Sequence, residues 1–266
     1  MHSTRQKQIL EFLRSKGECT VQSLAEMHEV SEMTIRRDLQ ALKNMGLIVR
    51  SRGGAMLAES VLFEFAFLQR RYEAREAKFA IARVVAGLVA EKSSVILDSG
   101  TTTLAVAQQL YAHRKLVVIT TSLPIASVMQ RHGNAEILLL GGFLRRDSPD
   151  LEGPMTEANL VGLKANLAII GADGIDAGGT AYTHSLNVSR ILARAIEAAE
   201  KVYVVADSSK LNRSALTAFG HLRDFDGLIT DDGAPPELVE AYRAAGASVT
   251  VAEVTDEVAR AARVQP

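Results

Sequence analysis

This chain has almost none of the residues that stabilise or anchor extracellular and membrane proteins. A single cysteine, Cys19, stands among 266 residues. No internal disulfide can form, which excludes the disulfide-stapled secreted scaffolds and makes a reducing compartment the natural one. No Cys/His cluster has metal-ligand spacing, so neither a metal nor a cofactor is expected. No apolar run approaches the roughly 20 residues of a membrane span. The start, Met1-His2-Ser3-Thr4-Arg5-Gln6-Lys7, lacks the apolar core of a secretory signal. The expectation is a soluble, cytoplasmic protein with no membrane partner. Internal repeats and low-complexity tracts are also missing. What remains is 47% hydrophobic, ordinary for a chain with a real core, at a length that suits one or two domains.

Net charge is nearly absent too, at −1, which would argue weakly against a polyanionic partner if the charge were evenly spread. It is not. Residues 1–57 hold nine Lys/Arg and six Asp/Glu, a net +3, and the remainder therefore carries −4. A basic small end on an acidic large end is expected where one part meets phosphate and the other does something else.

The small end reads as three short helices and a hairpin. Ser3 with Gln6 makes a capping-box start, Ile9, Leu10, Phe12 and Leu13 recur at helical spacing, and Gly17 stops the helix. Thr20 caps a second helix carrying Val21, Leu24 and Ala25 that ends near His28. After a turn at Glu29 and Val30, Ser31 caps a third helix with Ile35, Leu39 and Leu42 on its inner face, closed by Gly46. Leu47-Ile48-Val49-Arg50 reads as a strand, Ser51-Arg52-Gly53-Gly54 as a tight turn, and Ala55-Met56-Leu57 as the returning strand. Residues 58–75 read as a partly helical connector. From residue 76 to 266 the texture changes to short apolar runs centred on Ile96, Val118, Leu138, Ala168, Tyr203, Leu228 and Thr250, with helical patterns at 78–91, 103–112, 124–130, 186–200 and 235–245. That alternation predicts an α/β domain with a mainly parallel sheet.

Two helices joined by a four-residue turn and followed by a basic hairpin form a winged helix-turn-helix, which reads double-stranded DNA by laying its second helix in the major groove. With Ile35, Leu39 and Leu42 inward, Glu32, Met33, Thr34, Arg36, Arg37 and Lys43 are left for the other face. Arg binds guanine bidentately or clamps phosphate, Thr touches phosphate or a thymine methyl, and the N-cap Ser31 can serve a phosphate at the helix end. Thr34, Arg36 and Arg37 are the expected readers. Arg50 and Arg52 flank a turn whose glycines would allow close approach to the DNA backbone, and are expected at phosphate or in the minor groove. An isolated Arg-Arg pair is more often a solvated face; the helices, turn and wing together favour DNA. Asp38 is expected to pair with an arginine of the same chain.

The run Thr34-Ile35-Arg36-Arg37-Asp38-Leu39, then Leu42 and Arg50-Ser51-Arg52-Gly53-Gly54-Ala55, resembles the signature of the DeoR family of bacterial transcription regulators. The resemblance implies a repressor of a carbohydrate-metabolism operon acting as a homo-oligomer, dimer or tetramer, on operator DNA. It also implies a C-terminal sensor domain of the ribose-5-phosphate isomerase-like type.

The large end carries three polar strand ends. Val95-Ile96-Leu97 runs into Asp98-Ser99-Gly100-Thr101-Thr102-Thr103 and a helix, where backbone N–H groups, hydroxyls and a helix N-terminus would suit a phosphate. Taken alone, such a turn is more often a helix cap. Asp207-Ser208-Ser209-Lys210 and Gly171-Ala172-Asp173-Gly174-Ile175-Asp176 are the other two. The resemblance implies a phosphorylated sugar or related metabolite held by Asp98, Gly100, Thr101, Thr102, Thr103, Asp173, Gly174 and Lys210. Gly141-Gly142-Phe143-Leu144-Arg145 is similar to a family segment, with Arg145 either a ligand contact or a structural ion pair. Thr121 stands where the family commonly has Asn, and Leu211-Asn212 where it has Phe-Gly.

An isomerase fused to a DNA-binding domain is the competing reading, because Asp173 and Asp176 resemble two acidic positions of that enzyme. Isomerisation needs a base and groups that hold enediolate charge. No Lys or Glu occurs between Asp176 and Glu197, so a binding domain without a catalytic residue is the simpler account. His184, after a strand, is more often a surface or hydrogen-bonded residue than a substitute base.

Overall fold

The computed structural model describes residues 4–45, 47–51, 53–57, 67, 70–146 and 148–264. The chain forms two compact units with their boundary between Gln69 and Arg70. Ser3, Gly46, Arg52 and most of the expected connector (58–66, 68 and 69) lie outside the described residues.

In the first unit, α1 (Thr4–Lys16) leads through β1 (Glu18–Thr20) to α2 (Val21–Met27), α3 (Glu32–Asn44), β2 (Ile48–Ser51) and β3 (Gly54–Leu57). The helices form because their apolar residues fall on one stripe. Ile9, Leu13, Leu24, Ile35, Leu39 and Leu42 are all wholly inaccessible and make one core. Gly17 ends α1 at φ +81°. The Thr20 cap is reciprocal, with Ser23 N–H donating to its hydroxyl and the Ser23 hydroxyl accepting from Thr20 N–H. The strand β1 was not foreseen, since three residues carry too little alternation to be read. It pairs antiparallel with β3, Cys19 opposite Ala55, in a sheet of order β1-β3-β2.

This pairing gives the wing glycines a role within the protein beyond the one the sequence suggests. A Cβ on Gly54 would lie 1.8 Å from the carbonyl oxygen of Cys19. Gly54 therefore lets β1 and β3 close on each other, and Gly53, at φ +84°, supplies the left-handed turn residue. Both roles are internal to the protein.

The second unit runs α4 (Arg75–Leu88), β4 (Ser94–Leu97), α5 (Thr101–Gln109), β5 (Leu116–Thr120), α6 (Leu123–His132), β6 (Ala135–Leu139), β7 (Phe143–Leu144), β8 (Leu151–Glu152), α7 (Pro154–Leu160) and β9 (Ala165–Gly171). It continues with β10 (Gly174–Ile175), β11 (Thr180–Thr183), α8 (Leu186–Glu197), β12 (Ala199–Val205), β13 (Thr217–His221), β14 (Gly227–Asp231), α9 (Pro236–Ala244), β15 (Val249–Ala252) and α10 (Asp256–Val264). All seven expected apolar runs are strands of one parallel sheet, ordered β15-β14-β12-β9-β4-β5-β6. The expected helix at 186–200 stops at Glu197, because Ala199 to Lys201 ladder with β9 and tertiary pairing overrides their helical pattern. The antiparallel β7–β8 pair, the β10-β11-β13 sheet, α7 and α10 were not anticipated.

The strand order positions the site. From β4 the chain goes to β5 and β6 on one side, then returns to place β9, β12, β14 and β15 on the other. In open parallel sheets the crevice at such a reversal, beyond the C-terminal strand ends, is where ligands bind.

Candidate functional site

On α3, Ile35, Asp38, Leu39 and Leu42 are buried, which leaves Glu32, Met33, Arg36, Arg37, Gln40 and Lys43 exposed on the other side. Ser31 caps the helix: its hydroxyl accepts from Thr34 N–H at 3.3 Å and lies 2.9 Å from the Thr34 hydroxyl. The two expected phosphate-touching hydroxyls thus form one capping unit at the electropositive helix start. Arg36 pairs with Glu32 at 3.1 Å, both side chains about half exposed; such a solvated pair is weak and gives way readily to phosphate. The Arg37 side chain is exposed and has no hydrogen-bond or ion-pair partner among the described residues.

Asp38 does pair with an arginine, but with Arg5 of α1, at 2.6 Å, while Gln6 donates to its other oxygen at 3.0 Å. This buried carboxylate braces α1 against α3, which fixes the angle of the reading helix and withdraws a negative charge from its outer face. Arg50 is partly exposed on β2 opposite Ala55. Arg52 lies outside the described residues.

In the second unit, β4, β9 and β12 are neighbours in register, Leu97 beside Ile169 and Gly171 beside Val205. Their C-terminal ends therefore stand level, bringing the three polar strand ends to one sheet edge. Asp98 accepts from Gly171 N–H at 3.1 Å. Burial pushes its carboxyl up to about 8; the N–H groups of Gly171 and Ser99 pull it down, and Asp150 and Asp173 push it further up. Asp173 accepts from the Thr183 hydroxyl at 3.1 Å and His184 N–H at 2.9 Å.

Several expected ligand contacts have internal roles. Thr103 is wholly buried and donates to the Gly100 carbonyl at 3.2 Å, so its side chain presents no surface to a ligand, unlike the partly exposed Thr101 and Thr102. Gly174 is needed because a Cβ there would meet the Arg213 carbonyl oxygen at 2.7 Å. Of the two alternatives for Arg145, the ion pair is formed: its guanidinium lies 3.4 Å from buried Asp150 and 3.8 Å from Glu152. Asp176 is held below the ordinary carboxylate range. Burial raises it, but hydrogen bonds from Thr180 N–H, Tyr182 OH and Gly178 N–H outweigh that, and they tie both oxygens into a turn.

Lys210 ends the short 3-10 turn Ser208–Lys210, capped by Asp207, which accepts from Ser209 N–H at 3.1 Å. The sequence reading missed Lys78 of α4. It is 4% exposed, with its ammonium on the carbonyls of Arg70 and Glu73. Burial lowers it to about 8; Asp207 supports its charge and Lys210 opposes it. The signal was present: Lys78, Ala82 and Val85 share the buried stripe of α4, and a lysine on an apolar stripe is the informative exception. Asp150 offered no comparable signal.

A winged helix with an arginine-bearing outer face, followed by a parallel α/β unit with polar turns at the strand ends beside its switch point, has the architecture of a DNA-binding transcription regulator with a sensor domain. The sequence matches the DeoR-like helix-turn-helix domain over residues 5–61 and the DeoR C terminal sensor domain over residues 73–232. It is 34% identical over 245 residues to the HTH-type transcriptional regulator GlpR of Haloferax volcanii, covering 92% of this chain and 96% of the relative. It is 33% identical over 234 residues to the glycerol-3-phosphate regulon repressor of Escherichia coli strain K12, covering 88% and 92%. The HTH-type transcriptional repressor CsqR of the same strain is 31% identical over 234 residues, 88% and 89% of the two chains. This chain belongs to the DeoR family of transcription regulators. Among solved structures, ribose 5 phosphate isomerase A from Neisseria gonorrhoeae shows a partial likeness, TM-score 0.38 at 18% identity, over 50% of this chain and 52% of that one.

Proposed function

We propose that this regulator represses a carbohydrate-metabolism operon in the cytoplasm, and that a sugar phosphate at the β4–β9–β12 edge modulates its hold on operator DNA. The single observation that supports the effector half is the shared register of those strands, whose C-terminal ends lead into the turns that carry Asp98, Thr101, Asp173 and Lys210. Thr101 opens α5 without a side-chain cap, so its N-terminal N–H groups are open to an anion. Lys210 supplies charge, and carboxyl oxygens accept from sugar hydroxyls. Asp98 near 8 is mostly protonated at neutral pH, which removes a repulsion that a phosphate would otherwise meet.

Repression needs more than one chain, because a single small winged helix contacts few bases, and a homo-oligomer places reading helices on paired half-sites. The effector must bind the DNA-competent and DNA-incompetent arrangements unequally, and residues 58–75 carry the difference. The unit acts as a binder rather than a catalyst, since Asp176 is committed to its turn and Asp173 to the start of the segment after β11.

The test is a pair of titrations on the full chain, with DNA from upstream of its own gene and with a panel of sugar phosphates. Arg36→Ala is expected to weaken DNA binding and leave metabolite affinity unchanged; Lys210→Ala is expected to do the reverse. Turnover of ribose 5-phosphate, or a Lys210→Ala chain that responds like the wild type, would defeat this reading.

A further inference from the structure

We propose that Lys78 is the residue through which the effector's anionic group grips the segment that leads back to the DNA-binding unit, an inference that rests on the effector reading above. A lysine ammonium has three protons and accepts nothing. Two of the Lys78 protons are placed, on the carbonyls of Arg70 and of Glu73, the latter at 2.8 Å. Both acceptors belong to the first residues of the second unit, where the chain arrives from residue 69.

Lys78 also lines a recess. Arg71, Arg75, Lys78 and Thr101 line it, with Phe79 and Leu104 as its apolar wall. Three cationic side chains and the uncapped first residue of a nine-residue helix converge there, and nothing anionic lines the recess among the described residues. An anion in this position takes the third proton of Lys78 while the first two stay on Arg70 and Glu73. It adds negative charge beside a buried ammonium that Asp207 and Glu73 support and Lys210 and Arg70 oppose, and a charge-assisted bond at one proton polarises the group toward its other acceptors. Occupancy therefore clamps residues 70–78 to the bound anion, with Lys78 bridging it to the carbonyls of Arg70 and Glu73. Lys210 contributes to affinity in this arrangement but touches no carbonyl of the segment.

The experiment uses the full chain with inorganic phosphate as probe, reading affinity by calorimetry and backbone order by hydrogen exchange. Saturating phosphate is expected to slow exchange in peptides covering residues 70–78 by about threefold or more, the effect of added protection on a local opening. Lys78→Met is expected to bind phosphate about tenfold more weakly, as for loss of one charge-assisted contact, and to show no slowing. Lys210→Ala is expected to bind more weakly too, yet to retain the slowing once saturated. Phosphate binding to the wild type with unchanged exchange at 70–78 overturns the clamp and leaves the effector reading standing. No phosphate binding by the wild type overturns the effector reading itself. The wild-type comparison alone decides the clamp, whether or not Lys78→Met folds.

Discussion

On the reading face of α3, charge stands outward on a single helix: Arg36 is half exposed, its ion pair with Glu32 is solvated, and each side chain acts largely alone. In the α/β unit, charge is drawn inward and shared. Asp98 is raised partly by Asp150 and Asp173, while Lys78 feels both Asp207 and Lys210. Solvated charges are screened and keep ordinary properties, so they suit a partner that brings many phosphates. Charges taken out of water interact strongly and shift one another, so they suit one small ligand whose arrival must be felt elsewhere. One unit is built for contact and the other for coupling.

The sharpest way to break that comparison is Gly54→Ala. A methyl 1.8 Å from a backbone carbonyl forces β1 and β3 apart, an overpacking cost of about 3 kcal/mol or more. Calorimetry is expected to show the first unit melting early or already unfolded, with the second unit's transition in place; a common shift of both would mean that the units are not separable in stability. Next comes the double substitution of Arg36 and Arg37 by alanine, expected to cut operator affinity about 100-fold through roughly 1–3 kcal/mol per arginine. Its salt dependence should also flatten. If effector affinity falls with it, the contrast between additive surface charge and coupled interior charge fails.

The third prediction turns on pH. Folding raises Asp98 from the ordinary carboxylate range to about 8, so the folded chain holds that proton more tightly than the unfolded one. Its contribution is fully present in acid and is lost as pH climbs from about 4 to about 8. Asp98→Asn is therefore expected to leave thermal stability unchanged near pH 4. At pH 9 it should raise the second unit's melting temperature by roughly 4–8 °C, the size of about 2 kcal/mol in a domain of this length. Over the same upper range Asp98 gains its charge beside Asp150 and Asp173, and Lys78 loses its own beside Asp207, Lys210, Glu73 and Arg70. Phosphate affinity is thus expected to fall by about tenfold between pH 7 and pH 9, measured by calorimetry. The smallest effect is at Asn212, which sits at φ +55° where the family commonly has glycine. Asparagine tolerates that region better than other side chains, so Asn212→Gly should change stability by no more than about 1 kcal/mol.

That last residue shows how a departure from the family pattern was legible without its consequence. Leu211 is buried, 6% exposed, and Asn212 takes the left-handed turn, a conformation that glycine also adopts. The exposed side of α3 was fully legible, because Ser31, Ile35, Leu39 and Leu42 fix one helix and its outer side follows from 3.6 residues per turn. The roles of Thr103, Gly174 and Arg145 were not, because whether a polar group at a strand end meets a ligand or a neighbour depends on residues far away in the chain, such as Arg213 for Gly174.

From the sequence alone follow the helices of the winged unit, their buried stripe, the seven apolar strands and the polar turns at three of their ends, since all of these are local patterns of period 3.6 or of short continuous burial. Tertiary structure alone decided the order β15-β14-β12-β9-β4-β5-β6, the closeness of β1 to β3, the bracing of α3 by Arg5 and Asp38, and the meeting of Lys78 with Asp207 and Lys210. Those depend on which strands lie side by side and on how deeply a charge is taken from water, quantities set by residues tens to more than a hundred positions apart.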